Sequence, residues 1–188
     1  MTWIQTLEGR DFDLLNPDYR HIDPNTLAVC LARTCRFKGH CREFYSVAQH
    51  SLLVESLMVD DSLRLPALLH DAHEIYDGFG DIARPAKYLN DYVRRFLKEH
   101  QRHINVFIGQ RFGFDSQLFE NEQIHKADMV ALSTERRDNM APCSREWEEM
   151  SQPCPVVFIE PWGIDESYRR FTARLYELWN TKEPAHDA

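Results

Sequence analysis

Apolar residues recur at helical spacing along most of the chain, and polar turn signals separate the resulting segments. Asp23 followed by Pro24 is typical of a helix start, and Leu27, Cys30 and Leu31 then lie on one face. Ser46 gives a similar start to the next segment, whose apolar face includes His50. Besides the helix that begins at Asp23, the pattern predicts helices over Ser46–Val59, Ser62–Tyr76, Asn90–Phe112, Glu122–Glu135 and Ile164–Trp179.

The remaining segments predict a short ribbon and several loops. Residues 3–15 alternate weakly around Glu8-Gly9, which indicates a small hairpin. Residues 35–45 are irregular and polar, as expected of a loop that carries a site. Residues 142–161 indicate another loop, with a short strand at 156–159. The predicted fold class is therefore all-α, as one domain over residues 1–188 with a small N-terminal β ribbon.

Composition and charge narrow the class of protein. No apolar run approaches the roughly 18 to 20 residues that span a bilayer, so no membrane association is expected. The start of the chain lacks the pattern of a signal peptide, and five cysteines are most simply free thiols, so we expect a cytoplasmic location. The formal net charge is −8, with no basic cluster longer than Arg136-Arg137, which argues against binding to duplex nucleic acid.

Three helical segments each bring unusual polar residues to an apolar neighbourhood: His50, then His70-Asp71, then Asp128. Two imidazoles and two carboxylates suit a divalent ion such as Mn²⁺, Co²⁺, Zn²⁺ or Fe²⁺. In the alternative, structural interpretation each buried group needs its own polar partner, because an unpaired buried group costs about 1 to 3 kcal/mol. The joint pattern therefore favours a metal site of the kind that activates water for hydrolysis.

The same residues resemble the H…HD…D pattern of the HD-domain phosphohydrolase superfamily. The resemblance runs from about Leu7 to Asp138 and includes "Leu-His70-Asp71-Ala-His-Glu74" and "Gly-Asp81-Ile-Ala-Arg-Pro85-Ala-Lys87". Its nearest branch is that of the bacterial 5′-deoxynucleotidases and their phage and prophage relatives, among them deoxyadenosine triphosphate triphosphohydrolases. The resemblance implies an HD-domain helical bundle that needs a divalent metal ion, with Mg²⁺ added to the four cations named above.

Carried across residue by residue, the resemblance also implies roles for the site. His50, His70, Asp71 and Asp128 would be the metal ligands. Glu74 would orient or activate the attacking water, and Asp81 would lie near the sugar hydroxyl or that water. Arg36 would bind the substrate phosphate, since a planar guanidinium matches paired phosphate oxygens.

Further residues are predicted to contact substrate. Lys87 and Lys126 would be additional phosphate partners, above all for a triphosphate. His40 and Arg42, in the loop after Arg36, are expected to face the substrate rather than the metal. Phe37 stands where the deoxynucleotidase branch carries a Trp, and two residues are inserted between Glu74 and Asp81, so the resemblance leaves selectivity for deoxyribose open.

The sequence thus predicts a metal-dependent phosphohydrolase of bacterial or phage-infected cells that acts on deoxynucleotides and releases the nucleoside. Monophosphate and triphosphate substrates both remain open, as does the base. A catalytically inactive nucleotide sensor and a nucleic-acid phosphodiesterase are the alternatives. The apolar C-terminal helix and the habit of the family predict a homo-oligomer.

Overall fold

The computed structural model describes residues 1–147 and 150–180. They form a mostly helical molecule with one small antiparallel sheet, as predicted. None of the described helices is long and apolar enough to cross a membrane. The strands are β1 (Trp3–Gln5) and β2 (Asp11–Asp13), and the helices are α1 (Pro24–Arg33), α2 (Val47–Ser56), α3 (Arg64–Leu68), α4 (Arg84–Lys87), α5 (Asp91–Phe112), α6 (Glu122–Asn139) and α7 (Ile164–Asn180).

The N-terminal ribbon is confirmed. Strands β1 and β2 pair in antiparallel register, with Ile4 opposite Phe12. The turn between them uses Gly9, whose φ of 77° lies in the left-handed region that favours glycine. Phe12 is fully buried, and its ring centroid lies 4.7 Å from that of Tyr76. This contact attaches the ribbon to the helical core.

The predicted helix starts are also confirmed. The side chain of Asp23 accepts a hydrogen bond from the backbone N–H of Thr26, and Pro24 occupies the first helical position of α1. Ser46 caps α2 in the same way by accepting from the N–H of Gln49. These caps satisfy N–H groups that a helix start leaves without intrahelical partners, and therefore fix where α1 and α2 begin.

The main core lies between α1, α2, α3, α5 and α7. Phe171 and Leu175 of α7 are fully buried in it, as are Leu27 and Leu31 of α1, the helix against which α7 packs. The apolar face of α7 is thus covered within the chain, and it gives no support to the predicted homo-oligomer. A second cluster of apolar side chains joins α6 to α2 and α3; it includes Val54, Met58, Leu63, Ala67, Ile124, Ala127 and Ala131.

The single helix predicted over Ser62–Tyr76 is wrong. The segment consists of a 3₁₀ turn, helix α3, and a second 3₁₀ turn at Ala72–Ile75. Around Asp71 the backbone hydrogen bonds span three residues, as in the bond from the N–H of Ala72 to the carbonyl of Leu69 (2.9 Å). The carbonyl of Ala67, which a regular helix would pair with the N–H of Asp71, accepts a hydrogen bond from the His70 ring (2.9 Å). The local chain therefore departs from the α-helix where the His-Asp pair enters the site.

The short strand predicted at 156–159 is wrong as well. Side chains at the end of α6 take the place of a partner strand: Asp138 accepts from the N–H of Ile159 (2.9 Å), and Arg137 donates to the carbonyls of Cys154 and Val157. Because these side chains satisfy its polar groups, the segment needs no strand partner.

Candidate metal centre

His50 lies at the centre of the site, on helix α2. Its ring is fully buried, and its Nδ1 lies 2.6 Å from Oε1 of Glu135 on α6. A carboxylate can only accept at this contact, so Nδ1 carries the hydrogen. Nε2 is left facing the other imidazole of the site, 3.2 Å from Nε2 of His70.

The His-Asp pair approaches from the break after α3. Nδ1 of His70 donates to the carbonyl of Ala67, so the Nε2 of this ring also faces the centre of the group. Oδ2 of Asp71 lies 3.4 Å from Nε2 of His50 and 3.2 Å from Nε2 of His70. In an ideal α-helix the side chains of adjacent residues point about 100° apart around the axis. Because the helix is broken here, His70 and Asp71 both contact His50 although they are adjacent in the chain.

Asp128 joins the group from α6. Its Oδ1 lies 3.3 Å from Nε2 of His50 and 4.0 Å from Nε2 of His70. Ala127 and Ala131, on the apolar side of α6, pack against α2 and α3 and hold the helix at this position. The structure therefore brings together all four side chains that the sequence predicted as metal ligands.

These four side chains fit a divalent cation. Ligand atoms about 2.1 Å from a metal lie about 3.0 Å apart in an octahedron and about 3.4 Å apart in a tetrahedron, and the five distances above run from 3.2 to 4.0 Å. Ligand atoms of His50, His70 and Asp71 all lie within 4.8 Å of one another. Since both Nδ1 atoms are engaged elsewhere, the atoms that converge are two ring nitrogens and two carboxylate oxygens. Such a set stabilises positive charge between its members.

The electrostatics of the four side chains also favour a bound cation. Burial and the charge of Arg36 lower the pKa of His50, but the carboxylates of Glu135, Asp128 and Asp71 raise it more, to well above its usual value. Burial raises the pKa of Asp128, yet the two histidines lower it to about 2. The carboxylates therefore stay ionised and favour a cation beside the imidazoles.

Arg36 is buried beside the site, and three carboxylates surround its guanidinium. Its Nη1 is 3.7 Å from Oδ2 of Asp71 and 3.5 Å from Oδ1 of Asp81, and its Nη2 is 3.3 Å from Oε2 of Glu135. The next residue, Phe37, has a φ of 54°, a left-handed conformation that is costly for a bulky residue. The N–H of Phe37 donates to Asp81 (3.1 Å), which helps to hold this turn beside the site.

Glu74 is buried next to the cluster. Among the described residues its Oε2 has no hydrogen-bond partner. Burial raises the pKa of Glu74 well above its usual value, and the charges of Asp71 and Asp81 raise it further. A buried carboxyl oxygen without a protein partner is a natural place for a water molecule or a substrate group.

The residues predicted to contact substrate differ in how far they are buried and in what they contact. Phe37 is half-buried, with its ring 5.3 Å from the Arg36 guanidinium and 6.1 Å from the ring of Trp147. His40 is exposed. Arg42 is exposed too, and its guanidinium donates to the carbonyl of Met140 (2.7 Å), so it fastens the loop to the end of α6.

Of the two lysines predicted to contact phosphate, Lys87 lies near the site and Lys126 does not. Lys87 is half-buried and lines a small cavity with His73 and Asp77, close to Glu74. The side chain of Lys126 is 70% exposed and pairs with Glu122 one helical turn away (2.7 Å). The structure does not bring Lys126 to the site, because its side chain extends from α6 into solvent.

Sequence reasoning missed Glu135, to which it gave no role in the site. A usable signal was present, since Glu135 follows Asp128 by seven residues and therefore lies on the same face of α6 two turns later. Trp147 was missed too, and its contact with Phe37 spans more than a hundred residues without a local pattern that predicts it.

Comparison with known proteins places the chain in a family. No protein-family model matches it. It is 38% identical over 183 residues to YfdR of Escherichia coli (strain K12), covering 95% of this chain and 96% of that protein. It is 41% identical over 191 residues to RCAP_rcc00048 of Rhodobacter capsulatus, covering 94% of this chain and 95% of that protein. Both relatives are described as uncharacterized, and the chain belongs to the family that they represent.

Proposed function

We propose that this protein is a divalent-metal-dependent phosphohydrolase of the HD-domain kind that acts on deoxynucleotides. The observation that carries the proposal is the convergence of His50, His70, Asp71 and Asp128, with the guanidinium of Arg36 beside them. Four cation-binding side chains next to a phosphate-binding side chain suit a metal-assisted attack on phosphorus. The resemblance of the sequence to HD-domain enzymes supports the same reaction class.

A divalent cation (Mn²⁺, Co²⁺, Zn²⁺, Fe²⁺ or Mg²⁺), when bound by these four side chains, would polarise a phosphoryl oxygen and make a water molecule more acidic. The protein's part is to fix the four ligands before the cation arrives. His50 and His70 are held by hydrogen bonds at Nδ1, and Asp71 is held by the charge of Arg36. Ligands fixed in this way lose little conformational freedom on binding.

Arg36 would stabilise the negative charge that develops on the phosphoryl oxygens. Its guanidinium stays protonated at all relevant pH values and can present two parallel N–H groups to two oxygens. Asp71, Asp81 and Glu135 surround it, so its charge is balanced before substrate binds. This balance keeps a buried cation stable until a phosphate reaches it.

Glu74 would accept the proton of the attacking water. Its raised pKa makes the ionised carboxylate a stronger base, and Asp81 would help to orient the water or the sugar. The oxygen of water forms the new bond to phosphorus, and the bond from phosphorus to the 5′ oxygen breaks. The nucleoside leaves with a proton on that oxygen, and the other product is phosphate or triphosphate according to the substrate.

The choice of a small deoxynucleotide rests on the family resemblance and on charge. The chain has a formal net charge of −8, which disfavours a long polyanion. Lys87, near Glu74, is available to a second or third phosphate of a triphosphate. The cytoplasmic location belongs to the same proposal, because free deoxynucleotides are found there, and the oligomeric state stays a prediction.

The test is a turnover panel. Purified protein is stripped of metal, reloaded with each of the five cations, and incubated with deoxy- and ribonucleotides as mono-, di- and triphosphates, with Asp71→Ala as the control. We expect a free deoxynucleoside, with phosphate or triphosphate separated by ion chromatography, and no turnover by Asp71→Ala. Binding without turnover would replace the hydrolase with a nucleotide sensor, and cleavage of oligonucleotides alone would replace it with a phosphodiesterase.

A further inference from the structure

We infer that Glu135 is a positioning residue that couples the metal ligand His50 to the phosphate-binding Arg36 through the two oxygens of one carboxylate. The inference rests on the proposed function and extends it to a residue outside the ligand set. Glu135 Oε1 lies 2.6 Å from Nδ1 of His50, and Oε2 lies 3.3 Å from Nη2 of Arg36. One side chain thus contacts both halves of the site.

The surroundings of Glu135 tie it to the site. It is fully buried, so it does not serve as a surface charge. It lies two helical turns after Asp128 on α6, and the same helix therefore supplies a proposed metal ligand and the residue that holds another ligand. Burying a carboxylate is costly unless its oxygens are paired, and both of its oxygens face donors of the site.

For His50, the contact decides which ring nitrogen is free. Because the hydrogen of Nδ1 is donated to Glu135, Nε2 is the ring nitrogen that faces His70, Asp71 and Asp128 and would bind the cation. A carboxylate in this position also makes the imidazole a better ligand, and the loss of such an outer contact typically weakens metal binding about 10- to 100-fold.

For Arg36, the contact fixes the orientation of the guanidinium. Nη2 is held by Glu135, while Nη1 faces Asp71 and Asp81. Without Glu135 the guanidinium could turn toward the two aspartates alone. The phosphate-binding group would then lose its fixed position relative to the metal ligands.

Glu135→Gln separates this role from simple packing. Both partners of Glu135 are donors, and the glutamine amide offers one acceptor oxygen and one NH₂ group, so it can satisfy only one of them. The matched control is Glu55→Gln. Glu55 is also buried and also accepts from two donors, Arg64 and Arg174, at a place outside the site. Both variants lose the charge of a buried carboxylate, but the two donors of Glu55 share Oε1, so the glutamine oxygen at position 55 can keep both contacts.

The experiment measures Zn²⁺ affinity by competition with a chromogenic chelator and the ring nitrogens of His50 by ¹⁵N NMR of the Zn²⁺-loaded protein. We expect Glu135→Gln to raise the Kd for Zn²⁺ at least 10-fold and to shift the Nδ1 signal, while Glu55→Gln stays within twofold. In the wild type, Nδ1 should carry the hydrogen and Nε2 should bind Zn²⁺.

Several outcomes would overturn the inference. A Glu135→Gln variant that binds Zn²⁺ within twofold of the wild type would do so, as would a wild-type His50 that binds through Nδ1. The wild-type spectrum needs no variant, so a Glu135→Gln chain that fails to fold leaves the inference testable. If the wild type binds Zn²⁺ as expected but hydrolyses no nucleotide, the proposed hydrolase is wrong while the role of Glu135 in metal binding stands.

Discussion

Replacing Arg36 with methionine removes the buried positive charge of the site and keeps most of the side-chain volume. The substitution leaves Asp71, Asp81 and Glu135 without the guanidinium that now lies 3.3 to 3.7 Å from each. Breaking a buried ion pair from one side typically costs about 3 to 5 kcal/mol. We expect the free energy of unfolding of the metal-free protein to fall by about that amount.

The same substitution should affect the two ligands in opposite directions. Hydrogen bonds from a charged donor contribute about 1.5 to 3 kcal/mol, so KM for the nucleotide should rise about 10- to 100-fold. Metal binding should be kept or become tighter, because a positive charge beside the cation has been removed. A variant that has merely lost its structure would bind both ligands less well.

The assay combines urea denaturation of the metal-free protein, steady-state kinetics at saturating Mn²⁺ and titration with Mn²⁺. Arg174→Met is the control, because Arg174 pairs with the buried Glu55 away from the site. The control should lose stability but keep KM within twofold. If Arg36→Met lost stability and kept its KM, Arg36 would be only a structural counter-ion, and its role in phosphate binding would be refuted.

Four other substitutions follow from the same structure. In steady-state kinetics, Lys126→Ala should leave KM within twofold, because the side chain of Lys126 is 70% exposed. Lys87→Ala should raise KM for a triphosphate about 10-fold, because Lys87 is half-buried near the site and its charge would be lost. Burial lowers the pKa of His73 from 6.5 to about 4, so between these pH values the unfolded chain binds a proton that the folded chain does not. The free energy of unfolding should therefore fall as the pH drops from about 6.5 to 4. In urea denaturation, His73→Gln should show a weaker dependence on pH. Phe171→Ala should lower the free energy of unfolding by about 3 to 5 kcal/mol, since its ring is fully buried, and a loss below 1 kcal/mol would contradict the described core.

The sequence pattern correctly predicted the helix starts and the turn, which depend on contacts between residues close together in the chain. Asp23-Pro24 and Ser46 gave the helix starts because a cap depends on residues within one turn. The turn at Gly9 followed from the same kind of signal. The ribbon and the all-helical class could therefore be predicted without any knowledge of tertiary contacts.

The break after α3 could not be predicted in this way. The apolar spacing of residues 62–76 fits a helix, but the ring of His70 takes the Ala67 carbonyl, and the chain tightens so that Asp71 also reaches His50. These contacts join segments about 20 residues apart. The failed strand at 156–159 has a similar cause, since Arg137 and Asp138 satisfy its backbone groups from a distant helix.

The sequence predicted which four side chains converge at the site but not the contacts that support them. His50, His70, Asp71 and Asp128 stood out because polar residues interrupt apolar faces, and the structure brings them together. The position of Glu135 depends on the orientation of α6 relative to α2, which local spacing does not give.

The most direct test of metal-dependent hydrolysis is a titration of the metal-free protein with Mn²⁺ that records bound ion and deoxynucleotide turnover in the same samples. We expect turnover to rise in proportion to bound Mn²⁺, to reach a plateau at one ion per chain, and to disappear on addition of a chelator. Turnover that persists in the chelator, or one bound ion per chain with no turnover of any nucleotide, would contradict metal-dependent hydrolysis.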